Sequence, residues 1–398
     1  MAEITPPVGT ELAGFGYYLE RRMEGIRDPL HIRAAALEEG SVRVLIISCE
    51  LLGLSQDVAD ALIRHGKELG CTEVMIVSVH THTGPAIKYH EGCGEVSPAY
   101  TAGLAQRMFP ALDAAMADLQ EVTGIAYGRA EVEGDWIYNR AAQDGPVDRD
   151  VRGFVLTREK GKKLALMGCA CHGVFLGRTH LASADFSGEI IRNLGGMDTV
   201  YLNGLCGDID PFHTGEEAMC AFGKKAAETF LGSLKPVEPT LRACRLPFSI
   251  RLTRVTREDI RGAADEAEKR AGGAGMPVAR VARTWEKEML EKVDRLLEEE
   301  PGTAACFVLG GIPVLALPFE GFTAIGMAIR EGIGSEDAMI LGCAEELRGY
   351  LPTRDDIARG SYAALESTFL YKRLPAVPGE AERLAEQLTK AFLEREAH

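Results

Sequence analysis

Residues 73–85 read EVMIVSVHTHTGP. Glu73 to Val79 is a short apolar, β-branched run that stops at polar and small residues, the pattern of a buried strand. Upstream, Val42 to Ser48 (VRVLIIS) is a second such run, closing on Cys49-Glu50. Between them, Gln56 to Leu69 spaces Val58, Leu62, Ile63 and Leu69 in helical fashion, and Gly70 supplies a residue that commonly ends a helix. Strand, helix, strand is a βαβ pattern, and the loops that follow such strands are favoured places for chemistry. His80 and His82 stand directly after the second strand. Were the strand to continue, positions i and i+2 would face the same way. Neutral imidazole suits zinc, although the pair by itself also fits surface histidines or histidines satisfied inside a core.

The alternation continues outward from this unit. Gly153 to Thr157 and Leu164 to Cys169 read as strands around a turn at Glu159-Lys160-Gly161, Asp185 to Leu194 as a helix, and Thr199 to Leu202 as a strand. In the last third, Ala305 to Phe307 and Val314 to Leu317 read as strands joined at Gly310-Gly311, then Phe322 to Glu331 as a helix and Ala338 to Leu341 as a strand. One strand ends at Cys49-Glu50 and another near Phe319-Glu320, each followed by a helix and a further strand. The expected fold is therefore α/β: mixed β-sheets flanked by helices, in two pseudo-symmetric lobes with a site between them. Residues 254–300 break the pattern. They are rich in Glu, Arg, Lys and Ala, with Gly272-Gly273 and Pro277 between two helical stretches, and read as an exposed helical hairpin inserted into one catalytic domain spanning 1–398.

Composition excludes several function classes. Net charge is −15 and the isoelectric point about 5.2, which argues against a nucleic-acid partner and against docking on anionic lipid, both of which need clustered Lys and Arg. No apolar run approaches the roughly 20 residues that span a bilayer. The opening MAEITPPVG has no basic segment followed by an apolar one. The ten cysteines are irregularly spaced and read as buried free thiols. The expectation is a cytoplasmic protein without membrane insertion, acting on a small-molecule substrate, with homo-oligomerisation left open.

Further candidate segments lie after apolar strands. His172 precedes Gly173; Ser183-Ala184-Asp185-Phe186-Ser187-Gly188 follows; then comes Asn203-Gly204-Leu205-Cys206-Gly207-Asp208-Ile209-Asp210-Pro211. Small and acidic residues there suit either a loop lining a pocket or a pair of tight turns with Asx caps. As an ordered set, these segments resemble the catalytic domain of the neutral/alkaline ceramidases over nearly the whole chain. Leu12-Ala13-Gly14-Phe15-Gly16 and Gly25-Ile26-Arg27-Asp28-Pro29-Leu30 with Arg33-Ala34 resemble that family's start. Thr81-His82-Thr83-Gly84-Pro85 after His80 is similar to its THTHSGP signature, Asn139-Arg140 to its INRS segment, and Cys171-His172-Gly173 to the segment with a second metal histidine. Leu317-Pro318-Phe319-Glu320 resembles its PGE-type segment, and Gly349-Tyr350-Leu351-Pro352-Thr353 with Tyr362 its YVTT…Y pattern.

The resemblance implies a zinc ion, Zn2+, held by His80, His172, Glu320 and Tyr350, with His82, Arg140 and Tyr362 around a substrate carbonyl. Such an N/O ligand set is acceptable to zinc, and the implied reaction is hydrolysis of a non-peptide amide by metal-activated water. There are departures. Asp210 stands where the family's GDxSP segment carries serine, and the asparagine before the metal tyrosine is replaced around Glu345-Glu346. No counterpart of the family's secretion signal or C-terminal immunoglobulin-like domain is expected. These features move the expected substrate from ceramide to a small, polar amide. A metal-dependent esterase, lyase or isomerase on the same scaffold is the alternative, and Asp210 is expected to act as a base, a ligand or a recognition group.

Overall fold

The computed structural model describes residues 1–17, 20–88 and 93–396. In the first sheet, Val42–Cys49 pairs antiparallel with His31–Glu39 and parallel with Glu73–Ser78, and the parallel step is made through the helix Gln56–Glu68. The third sheet repeats that order: Glu299–Leu309 pairs antiparallel with Ile312–Ala316, which pairs parallel with Met339–Leu341 after the helix Thr323–Ile333. A middle sheet follows the same plan. Asp150–Arg158 pairs antiparallel with Leu164–Gly168, and that strand pairs parallel with Asp198–Tyr201 after the helix Asp185–Asn193. The symmetry suggested by the sequence thus runs through three sheets of mixed α/β structure.

Period-two alternation explains how the sheets assemble. In Val42–Cys49, Val44 and Ile46 face one cluster while Leu45 and Ile47 face another. The cluster holding Val44 and Ile46 also holds Phe154 and Leu166 of the middle sheet and Phe307 and Val314 of the third. Each sheet therefore gives one face to a shared central core and the other to its own helices. Fully burying one such side chain contributes about 1.5–3 kcal/mol, so a polar residue at Ile46 or Phe307 would strike all three sheets at once.

The hairpin region contains the helices Arg257–Ala271 and Pro277–Lys292. Thr256 caps the first through a capping box with Asp259. Only its outer face is exposed. Ile260, Ala264 and Ala267, with Val281, Trp285 and Met289, are buried in the cluster that also takes Phe369, Leu370 and Leu374. The charge run marks the solvated side of an amphipathic pair, and residues 299 and 300 belong to the following strand rather than to the hairpin. Among the described residues, no helix is long and apolar enough to cross a membrane, and all ten cysteines are unpaired.

Candidate metal centre

The three sheets meet end to end, and the meeting point carries the candidate residues. The backbone N–H of His82 donates to Gly173 at 2.9 Å, joining the first sheet to the middle one; Gly207 donates to Gly321 at 2.9 Å, joining middle to third; Ser78 donates to Cys343 at 3.0 Å, joining first and third. The strand Glu73–Ser78 stops before His80, whose φ of 62° is left-handed. The two imidazoles therefore converge through a turn, not through strand alternation. Cys343 and Glu345 also have positive φ, 51° and 49°. Backbone held in this sparsely populated region clusters at sites that need a particular side-chain direction.

His80, His172 and Glu320 are sealed from solvent, at 1%, 0% and 1% exposure. The Nε2 atoms of both histidines lie 3.1 Å from the same oxygen, Glu320 Oε2. Tyr350 Oη lies 3.3 Å from His172 Nε2. His80 Nδ1 faces the Leu52 carbonyl at 2.7 Å and His172 Nδ1 the Ile209 carbonyl at 3.2 Å. A carbonyl can only accept, so each Nδ1 carries a proton; a cation at the centre would displace any proton on Nε2 and meet its lone pair, the arrangement in which ligating histidines are usually held. Ligands at zinc distances of about 2.0–2.1 Å around a tetrahedron sit roughly 3.3–3.4 Å apart. The observed separations fit a small divalent ion held by His80, His172, Glu320 and Tyr350.

His82 is in the opposite state. Its Nδ1 accepts from the backbone N–H of Phe15 at 3.2 Å, while its Nε2 lies 3.4 Å from His80 Nε2. The neutral ring must then carry its proton on Nε2, which makes it a donor toward the centre and a poor ligand. Gly14, at φ 89°, permits this packing: a Cβ there would meet His82 Nδ1 at 2.4 Å. Arg21 donates to the His82 carbonyl and holds the turn. His80 could also group with the buried thiols of Cys206 and Cys343. Its one free nitrogen already faces Glu320, so the N/O set is the better match.

Charges follow the geometry. Burial opposes a charge on Glu320, yet the neighbouring imidazoles hold its carboxyl well below the usual range. Burial likewise opposes a charge on His80, but Glu320 outweighs it and raises the imidazole to about 9. His82 is pushed well below its ordinary value by burial, reinforced by His80 and His172. Burial raises Tyr350 well above the phenol range against the pull of Arg140, so a phenolate there needs a second cation besides Arg140.

Arg140, Asp210 and Tyr362 ring this centre. Arg140 Nη2 lies 2.8 Å from Tyr350 Oη and 3.3 Å from His172 Nε2, and Nη1 lies 3.2 Å from Asp210 Oδ1. Arg140 and Asp210 are brought together by a two-stranded ribbon in which Ile137–Asn139 pairs antiparallel with Ile209–Pro211. The Tyr362 ring stands 5.8 Å from that of Tyr350, edge to face. All eight residues singled out in the sequence thus lie in one connected group. One further contact escaped the sequence reading: Tyr371 donates its hydroxyl proton to Glu320 Oε1, the carboxylate oxygen turned away from the histidines. A lone tyrosine after a short helix gives no periodic signal that would mark it. A surface cavity of about 890 Å³ is lined elsewhere, by Ala36, Glu38, Arg158 and Asp198 among others, and includes none of the candidate residues.

No family model matches the chain, and a search of curated proteins finds no relative. Solved structures do match. A neutral ceramidase from Pseudomonas aeruginosa superposes with a TM-score of 0.73 at 16% identity, covering 99% of this chain and 74% of that one. A ceramidase complexed with C2 gives a TM-score of 0.74 at the same identity and the same coverage. The chain has a neutral ceramidase-like fold.

Proposed function

We propose that this chain is a zinc-dependent hydrolase that cleaves a non-peptide carbon–nitrogen bond in a small polar substrate. The observation that carries the reading is the pair of imidazoles whose Nδ1 protons are committed to main-chain carbonyls and whose Nε2 atoms meet on one Glu320 oxygen. His80, His172, Glu320 and Tyr350 would hold the metal, which when bound lowers the pKa of water to about 7 and polarises a carbonyl. The remaining groups supply the rest of the chemistry. Arg140, a permanent cation 2.8 Å from Tyr350 Oη, stabilises negative charge developing on the carbonyl oxygen. His82, uncharged near neutral pH, offers its Nε2 proton to that oxygen or to the departing nitrogen. Asp210 aligns Arg140 through Oδ1 and keeps a carboxylate, 23% exposed, for a proton or an amine at the mouth. Enclosure of the centre keeps bulk water from competing.

The ceramidase-like fold supports amide chemistry by analogy. Asp210, in place of the family's serine and paired with Arg140, favours a small polar amide over a long-chain lipid. The same carboxylate keeps an ester or an elimination substrate as the second reading. The test is zinc content by elemental analysis, followed by a panel of N-acyl amines, esters, sugar-derived amides and detergent-dispersed ceramide. About one zinc per chain and turnover of small amides are expected. Failure to take up any transition metal ends the metal reading, and efficient ceramide turnover overturns the substrate assignment.

A further inference from the structure

We propose that Tyr371 is a positioning residue for the metal carboxylate, and that the helical hairpin of Arg257–Ala271 and Pro277–Lys292 holds it in place. The inference rests on the metal reading above. Glu320 uses its two oxygens differently: Oε2 lies 3.1 Å from both ligand imidazoles, while Oε1 accepts from Tyr371 Oη. Occupying Oε1 leaves a single oxygen turned toward the centre. Gly349 makes room for this. A Cβ on Gly349 would meet the Tyr371 ring at 2.7 Å, and the Gly349 carbonyl accepts the backbone N–H of Glu320 at 2.9 Å. One glycine therefore both anchors the Glu320 backbone and admits the phenol ring.

The arm around Tyr371 is fastened on both sides. Phe369 packs edge to face on Trp285, with ring centroids 5.1 Å apart, and Trp285 Nε1 donates to the Arg373 carbonyl at 3.0 Å. Lys372 Nζ donates to Glu288 at 2.5 Å, and Arg373 pairs with Glu300 just beyond the hairpin. The insertion thereby connects to the metal carboxylate through one hydroxyl. Partners of metal-bound carboxylates of this kind typically change metal affinity by about 10- to 100-fold when removed.

The bland reading of Tyr371 is a core tyrosine, whose loss would lower stability whether or not metal is bound. Full-length protein carrying Tyr371→Phe separates the two. Zinc affinity is measured by competition with a chromophoric chelator, and thermal unfolding is followed in excess chelator. The proposal expects affinity to fall about 10- to 100-fold with little change in unfolding of the zinc-free protein. Cobalt-loaded protein adds a second readout: with Oε1 released to reach the ion, coordination rises and the visible absorption of a four-coordinate centre weakens. Wild-type affinity together with an unchanged cobalt spectrum overturns the proposal. So does a variant that only unfolds more easily. Wild-type protein that binds no zinc overturns the metal reading and this inference with it.

Discussion

The two sides of the centre are held by different means. His80, His82 and His172 come from the loops that follow strands of the first and middle sheets, and their rings are fixed by main-chain groups at Leu52, Ile209 and Phe15. Glu320 and Tyr350 come from a separate two-stranded parallel ribbon, Glu320–Gly321 with Tyr350–Leu351, and Tyr362 and Tyr371 from the arm after it, where Glu320 Oε1 is held by one side-chain hydroxyl. A backbone partner survives almost any substitution nearby; a side-chain partner is lost with one. The imidazole side should therefore decide whether metal binds, and the carboxylate side how tightly.

Replacing a ligand imidazole should have the largest effect. His172→Ala, or His80→Ala, is expected to take zinc content from about one per chain to near zero; a variant that retains the metal would erase the distinction between the two sides. Next is His82→Ala, expected to lose roughly 10²–10⁴-fold in turnover, the range for a positioned acid–base group, while elemental analysis still finds zinc. Loss of the metal there would mean that His82 is a ligand and that its tautomer has been misassigned. Asp210→Asn, with zinc content checked first, is expected to fall by about 10²-fold in turnover, at the lower end of that range because Arg140 keeps its contacts to Tyr350 and His172. Near-normal turnover would reduce Asp210 to a turn residue before Pro211. The smallest effect on the centre belongs to Trp285→Ala. Removing this buried ring should cost stability by about 3–5 kcal/mol and weaken zinc binding less than Tyr371→Phe does. Unchanged affinity would detach the hairpin from the centre and leave the contrast between the two sides resting on Tyr371 alone.

The two sides also differed in how far the sequence revealed them. The strands Val42–Cys49 and Glu73–Ser78 are continuous β-branched runs bounded by turns, and such runs are legible locally. His80, His172, Glu320 and Tyr350 emerged only as an ordered set, because no one of them is distinctive alone. The middle sheet's membership in the repeat was hidden by the turn at 159–163 and the loop at 169–184, which shift its spacing relative to the other two. The ribbon that brings Arg140 to Asp210 pairs two three-residue segments far apart in the chain, too short for any periodicity. In the hairpin, Ile260, Ala264 and Ala267 do follow helical spacing, but surrounding charge dilutes the signal and suggests exposure. Tyr371 depends on a tertiary contact, and no local pattern encodes one.

The sealed position of His80, His172 and Glu320 has a kinetic consequence. None of these three side chains meets solvent directly, so an ion must pass between Arg140, Asp210 and Tyr362 at the mouth, the last of which lies on the arm. The segment carrying Tyr362 and Tyr371 is short, ends in loops, and is fastened mainly by side chains, which places it among the parts of a fold that open at a free energy below that of global unfolding. Exchange of the ion should then follow the opening rate of that arm. It should quicken in mild denaturant while the central core of the three sheets stays protected from hydrogen exchange. Residence time and affinity would be separate properties of one site, the first set by the arm and the second by the ligands.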